Sequence, residues 1–140
     1  MRRTRKRPTA SGPEPGSMET ASQALGILGE KLASSFLRMK GYQIILKNYQ
    51  TVLGEVDLIA RHGGVLTFIE VKTRRSTEMG DPLESITFHK KRQIVKVAQY
   101  YLKRYGIYDF PCRFDVVSIL LLPEKMPQIE LIQDAFSQEG

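Results

Sequence analysis

Residues 54–73 read Gly54-Glu55-Val56-Asp57-Leu58-Ile59-Ala60-Arg61-His62-Gly63-Gly64-Val65-Leu66-Thr67-Phe68-Ile69-Glu70-Val71-Lys72-Thr73. Two apolar-rich runs flank a Gly-Gly pair, the pattern of a β-hairpin. Type I′ turns need positive φ at both central positions, which glycine adopts without steric cost. With Gly63-Gly64 as the turn, His62 pairs with Val65, Asp57 lies opposite Glu70, and Glu55 lies opposite Lys72. One face then collects Val56, Leu58, Ala60, Val65, Thr67, Ile69 and Val71, a surface suited to the core. The other carries Glu55, Asp57, Glu70 and Lys72 at one end, and Ile59, Leu66 and Phe68 toward the turn. A slip of one residue would drive the charges into the apolar face, so this register is favoured. A longer turn that shifts the pairing by an even number of residues keeps both faces.

Directly opposed Asp57 and Glu70 would have Cβ atoms about 4.5–5.5 Å apart. Two like charges at that separation repel unless a cation lies between or beside them. Lys72 is one candidate and a divalent metal is another. Two carboxylates with open water positions are typical of Mg²⁺ sites that act on substrate phosphates. Such a metal polarises the phosphate and lowers the pKa of a bound water, and Lys72 is placed to hold that water and offset developing negative charge. The plain alternative is that Glu55–Lys72 and Glu70–Lys72 are exposed cross-strand ion pairs, which contribute little.

Outward from the hairpin, a helix is expected from about Thr20 to Lys40. Leu25, Leu28, Leu32, Phe36 and Met39 form an apolar stripe, and Gly41 is the stop. Gln23, Lys31, Ser34 and Arg38 make its solvent face. Glu30 stands at the border between that face and a strip of small or apolar residues, Gly26, Ala33 and Leu37. Tyr42–Tyr49 reads as a strand, followed by a turn over 51–54 and the hairpin strands Glu55–Arg61 and Val65–Thr73. A loop from Arg74 to Ser85 leads to a second helix, about Thr87 to Tyr105. Its core stripe is Ile94, Ala98, Tyr101 and Tyr105, and Gly106 is its stop. Strands Arg113–Leu122 and Gln128–Ile132 follow, joined by a turn over Pro123–Pro127. The order implies a small α/β sandwich around one mixed sheet.

The 140 residues suit one domain, and 41% hydrophobic residues supply a core. A single cysteine, Cys112, excludes an intrachain disulfide framework and a Cys-rich zinc site, and favours a reducing, cytoplasmic location. No apolar run approaches the roughly 18 residues that span a bilayer, so no membrane partner is expected. Residues 1–20 hold Arg2, Arg3, Arg5, Lys6 and Arg7 with several prolines and no apolar stretch. They read as a disordered basic leader rather than a signal peptide. The leader carries half of the net charge of +6. The basic balance points to nucleic acid as a partner.

Lys90, Lys91 and Arg92 fall in the first turns of the second helix, where cations oppose the helix dipole and a bound anion would offset the cost. Arg92, Lys96 and Lys103 also share one face with Gln99, and the basic groups form a candidate phosphate-contacting stripe, against the alternative of a solvated helix face. Arg74 and Arg75 follow the Lys72 strand and are candidates to grip a nucleic-acid backbone. Tyr101 and Tyr105 read as core. His62 and His89 read as surface residues, and Cys112 as inert. Asp115 alternates out of an apolar strand, either to pair with a base such as Arg113 or to support the site.

The segments Gly54–Ala60 and Phe68–Arg74 resemble the Asp…(Asp/Glu)-x-Lys signature of the restriction-endonuclease-like nuclease superfamily. More narrowly, the chain resembles the YraN family of bacterial proteins, whose members are similar to archaeal Holliday junction resolvases. Gly29-Glu30-Lys31-Leu32-Ala33, Gly41-Tyr42, Asn48-Tyr49, Lys90-Lys91-Arg92, Ala98–Leu102, Arg113–Val117 and Ala135-Phe136 extend the likeness over about residues 21–136. The triplet alone is short and degenerate; the ordered series of segments is specific. Val56 stands where the superfamily often has proline, a departure from the restriction-enzyme form.

The resemblance implies a restriction-endonuclease-like domain over 21–140, a central mixed β-sheet flanked by helices. It implies that Asp57, Glu70 and the Val71 carbonyl hold Mg²⁺ or Mn²⁺, that Lys72 is the catalytic lysine, and that Glu30 faces the same site. The expected function is a metal-dependent endonuclease acting on DNA, structured or branched DNA included. A homodimer is a further expectation, because branched-DNA enzymes of this type often work as dimers. The alternatives are a non-catalytic nucleic-acid-binding or protein-interaction module on the same fold, and an accessory subunit whose site a partner completes.

Overall fold

The computed structural model describes residues 20–76 and 80–138; the basic leader lies outside the described residues, apart from Thr20. Helix α1 (Ala21–Met39) begins at a capping box in which the Thr20 hydroxyl and the Gln23 side chain each satisfy the other's backbone N–H. Strands β1 (Gln43–Thr51), β2 (Gly54–His62) and β3 (Val65–Arg74) follow. A short 3-10 turn (Pro82–Ser85) leads to helix α2 (Phe88–Tyr105), capped by Thr87 and stopped by Gly106 in the left-handed region. Strands β4 (Cys112–Leu120) and β5 (Gln128–Phe136) complete one five-stranded sheet in the order β1-β2-β3-β4-β5. Only β3 and β4 are parallel, joined through α2; the other neighbours are antiparallel. This is the expected mixed sheet flanked by helices.

The hairpin register is the expected one, from His62 opposite Val65 to Leu58 opposite Ile69. At the turn Gly63 alone takes a left-handed φ, 63°. That is the requirement of a type II′ turn rather than the type I′ expected.

The two helices cover opposite faces of the sheet, so the hairpin has two core faces where one was expected. Against α1 lie Leu58, Ala60, Ile69, Val117 and Ile119, packed with Ala33 and Leu37. Against α2 lie Val56, Ile59, Leu66, Phe68 and Val116, packed with Ile94, Val97, Ala98 and Tyr101. Ile59, Leu66 and Phe68, read as the outer face, are therefore buried. Val56 joins this second cluster instead of the face of Leu58, because strand alternation breaks at Asp57, where the β2–β3 ladder ends.

The core face of α1 also differs from the expected stripe. Gly29, Ala33, Ser34 and Leu37 are buried, whereas Leu28 is 46% and Met39 86% exposed. The cause is close approach. A Cβ at Gly29 would stand 1.9 Å from Thr73 Oγ1, so the helix docks through its small residues and turns part of its bulky stripe outward. Tyr105, expected in the core, is 53% exposed, although its ring rests 4.8 Å from that of Tyr101.

Candidate active site at the divergence of two strands

Asp57 and Glu70 occupy the positions just beyond the last β2–β3 pair. There the strands diverge, and the Val71 N–H donates to Asp57 Oδ2 at 2.8 Å. A side-chain acceptor thus replaces a ladder bond and fixes the Asp57 carboxylate. Glu70 is buried, and its Oε1 finds no hydrogen-bond partner among the described residues. Burial pushes the Glu70 carboxyl up to about 8, helped by the neighbouring Asp57 charge. Asp57 is raised as well, first by burial, with the Val71 N–H and Glu70 pulling the other way. The two carboxyls lie close together, and burial raises both.

Asp57, Glu70, Val71, Lys72 and Glu30 line one cleft of about 280 Å³, walled by Ser22, Leu25 and Gly26 of α1 and by Thr73. The expected quintet is therefore in one place. Glu30 reaches the cleft from α1; burial raises its carboxyl, a hydrogen bond from Asn48 opposes the rise, and the Asp57 and Glu55 charges add to it. Neither Glu55 nor Glu70 forms a salt bridge with Lys72 among the described residues, so ordinary cross-strand ion pairs do not account for the arrangement.

The basic candidates separate. Lys90, at the start of α2, bears on both Asp57 and Glu70 with favourable charge, and on Glu70 more strongly than Lys72 does. Lys91 is half-buried and Arg92 and Lys96 are exposed on α2, outside the carboxylate cleft. Arg92 instead rests over the Phe88 ring, 5.7 Å from its centroid. Arg74 donates to Gly80 O at 2.8 Å and lines a different cleft with Ser118 and Glu130. Arg75 is exposed.

Sequence reasoning missed two neighbours. Asn48, which bonds Glu30, sits in β1 with φ 52°. An asparagine within an apolar-patterned strand is the signal that would have pointed to it, because asparagine tolerates the left-handed region. Gln93 lies against Gly54 across the α2–β2 contact, and no local pattern announces it.

The donor set suits a hard divalent cation. Among the described residues no three Asp, Glu, His or Cys side chains are close enough together to hold a metal ion by themselves. The protein thus offers two carboxylates, one with an orphaned oxygen, and leaves other positions to backbone, water or phosphate oxygen, as Mg²⁺ sites do. No helix among the described residues is long and apolar enough to cross a membrane.

The model of an uncharacterised protein family, UPF0102, matches residues 29–119. A UPF0102 protein of Alkaliphilus metalliredigens is 42% identical over 82% of this chain and 99% of its own length. One of Symbiobacterium thermophilum is 46% identical over 82% of this chain and 98% of its own. One of Geobacter sulfurreducens is 44% identical over 82% and 90%.

Proposed function

The chain belongs to the UPF0102 family, the YraN family of the sequence resemblance, and we propose that it is a Mg²⁺- or Mn²⁺-dependent endonuclease that hydrolyses phosphodiester bonds in DNA, structured or branched DNA included. One observation carries this reading: Asp57 and Glu70 are forced together at a strand divergence, with Glu70 Oε1 buried and unpartnered. A structural role would favour satisfying that oxygen, since leaving it bare costs about 1–3 kcal/mol.

Asp57, Glu70 and the Val71 carbonyl would hold the metal, which when bound supplies a polarised phosphate and a more acidic water. The chain's own groups do the rest. The Val71 N–H holds the Asp57 carboxylate in one orientation. Lys72, half-buried in the same cleft, orients the attacking water and offsets charge that develops on the phosphate. Glu30 supports the site from α1. Lys90 adds positive charge from α2 and, with Lys91, Arg92 and Lys96, draws the nucleic-acid backbone; Arg74 and Arg75 contribute at longer range. A cytoplasmic location and a homodimer complete the proposal.

The test is a Mn²⁺ titration by calorimetry, followed by a cleavage screen over linear, flapped and four-way DNA. Wild type is expected to bind saturably and cut, while Asp57→Asn and Glu70→Gln lose both with the fold intact. Cleavage retained in both variants would sink the assignment. DNA binding that falls with salt, ignores Mg²⁺ and never leads to cleavage would favour the non-catalytic module.

A further inference from the structure

Beside the carboxylate cleft lies another that the nuclease reading leaves unused. It opens between the β1–β2 turn and the start of α2, encloses about 330 Å³, and is lined by Gln50, Thr51, Gly54, Glu55, Lys90 and Gln93. One wall requires glycine: a Cβ at Gly54 would come within 2.4 Å of Gln93 Cγ and Cδ, and Gly54 has φ 138°. Lys90 Nζ donates to Gln93 Oε1 one turn along α2 at 3.4 Å. Lys90, in this lining, bears with favourable charge on Asp57 and Glu70, so the two clefts lie near each other at one end of the sheet.

The turn at its rim is stiff and apolar. Thr51 Oγ1 accepts from the Leu53 N–H at 3.0 Å and donates to Gly54 O at 3.2 Å. Between these anchors Val52 is 97% exposed, the most exposed large hydrophobic among the described residues, and Leu53 is 43% exposed. An immobilised apolar tip next to a polar cleft is costly to keep in water and suits a ligand with an apolar surface.

The lining decides the ligand class. An isolated phosphate would meet the Glu55 carboxylate, and a hydrocarbon would strand the amides. A flat heterocycle with donors and acceptors on its edge fits both features. Gln50 and Gln93 each donate and accept, Glu55 accepts, Lys90 donates, and the Val52–Leu53 tip offers apolar contact to a ring face or to the gap a ring leaves. We propose that this cleft is a subsite for an unpaired nucleobase of the same strand whose phosphate lies at Asp57 and Glu70, with the Val52–Leu53 tip as the wedge beside it. The inference rests on the nuclease reading and narrows its substrate to DNA that has a base out of the stack, since a paired base hides its edge.

The experiment uses the full chain in EDTA and two fluorescent DNAs, one a perfect duplex and one carrying a single unpaired 2-aminopurine. Wild type is expected to prefer the unpaired base about tenfold. Val52→Ser, fully exposed and harmless to the fold, and Gln93→Leu, which keeps the packing on Gly54, are each expected to cut that preference below about threefold. Equal affinity of wild type for both DNAs overturns the subsite, as does a preference that survives in both variants. A wild type that binds neither DNA overturns the subsite, while the nuclease reading stands or falls by the Mn²⁺-dependent cleavage screen. A preference without Mn²⁺-dependent cleavage overturns the nuclease reading alone.

Discussion

Two buried acidic centres lie in the same sheet, and they are built in opposite ways. Asp115, fully buried in β4, is saturated. It accepts from Arg113 through Nε at 2.8 Å and Nη2 at 2.9 Å, from the Tyr42 hydroxyl at 2.7 Å and from the Asp134 N–H at 2.9 Å. Arg113 in turn reaches His62 Nδ1 at 3.0 Å, and His62 stacks on Tyr42 with ring centroids 4.1 Å apart. Asp57 and Glu70 have one backbone N–H between them, each other, and a bare oxygen. The first centre is a rivet that ties α1's exit to β4 and β5. The second withholds partners that the same fold supplies elsewhere, and the proposed function rests on that contrast.

Mutation sharpens the contrast most at the rivet. Asp115→Ala would take the acceptor from the Tyr42 hydroxyl and the Asp134 N–H and leave Arg113 without its carboxylate partner. A loss of about 3–5 kcal/mol in urea unfolding is expected, whereas Asp57→Asn should change stability far less. Equal losses at the two acids would erase the distinction.

The next effect is on pH dependence. The Glu70 carboxyl is raised from 4.5 to about 8. Below 4.5 both folded and unfolded states hold the proton and the folded state keeps its full stability. As pH rises toward 8 the unfolded chain ionises freely while the folded chain resists, so metal-free protein should lose stability across that window. Glu70→Gln should flatten the slope. Bound Mn²⁺ should offset it, with affinity climbing as the carboxyl ionises. A wild-type profile without that slope would contradict the buried pair.

Two changes on α1 test the helix docking on which the cleft wall depends. Gly29→Ala forces a methyl against Thr73 and should cost about 1–3 kcal/mol in thermal or urea unfolding. Met39→Ser, on the outward stripe, should stay within about 0.5 kcal/mol by the same measurement. The reverse order would restore the bulky stripe as the core face.

What the sequence made legible was local. The hairpin register follows from a glycine turn and a period of two, so Asp57, Glu70 and Lys72 come together without tertiary knowledge. Glu30 was placed by the family resemblance, and its border position on the helix agrees with it. The errors fall where packing at a distance overrides local pattern. Hydrophobic periodicity favours Leu28 and Met39 for the core, but a helix that touches a sheet backbone needs Gly29 and Ala33 at the contact. His62, read as a surface turn residue, is held by Arg113 of β4 and by Tyr42, just before β1. Asp115's choice of Arg113 was among the options the sequence left open. Cys112 fits its inert reading, since burial raises its thiol and disfavours the thiolate. Lys90 was read as a phosphate-contacting residue. Its nearness to the acids and the cleft it shares with Gln93 depend on how α2 crosses β2, which no window of sequence encodes.

The topology also fixes an order of assembly. The β2–β3 hairpin closes over a turn of a few residues, but β3 meets its parallel neighbour β4 only after the whole α2 crossover has been laid down. In that interval Asp57 and Glu70 face each other without the Lys90 charge. A zipper that starts at Gly63 is therefore held open by repulsion at its far end. The divergence at Asp57 and Glu70 is, in kinetic terms, where the hairpin's zipping stops, and acid that neutralises the pair should let the ladder reach that point sooner.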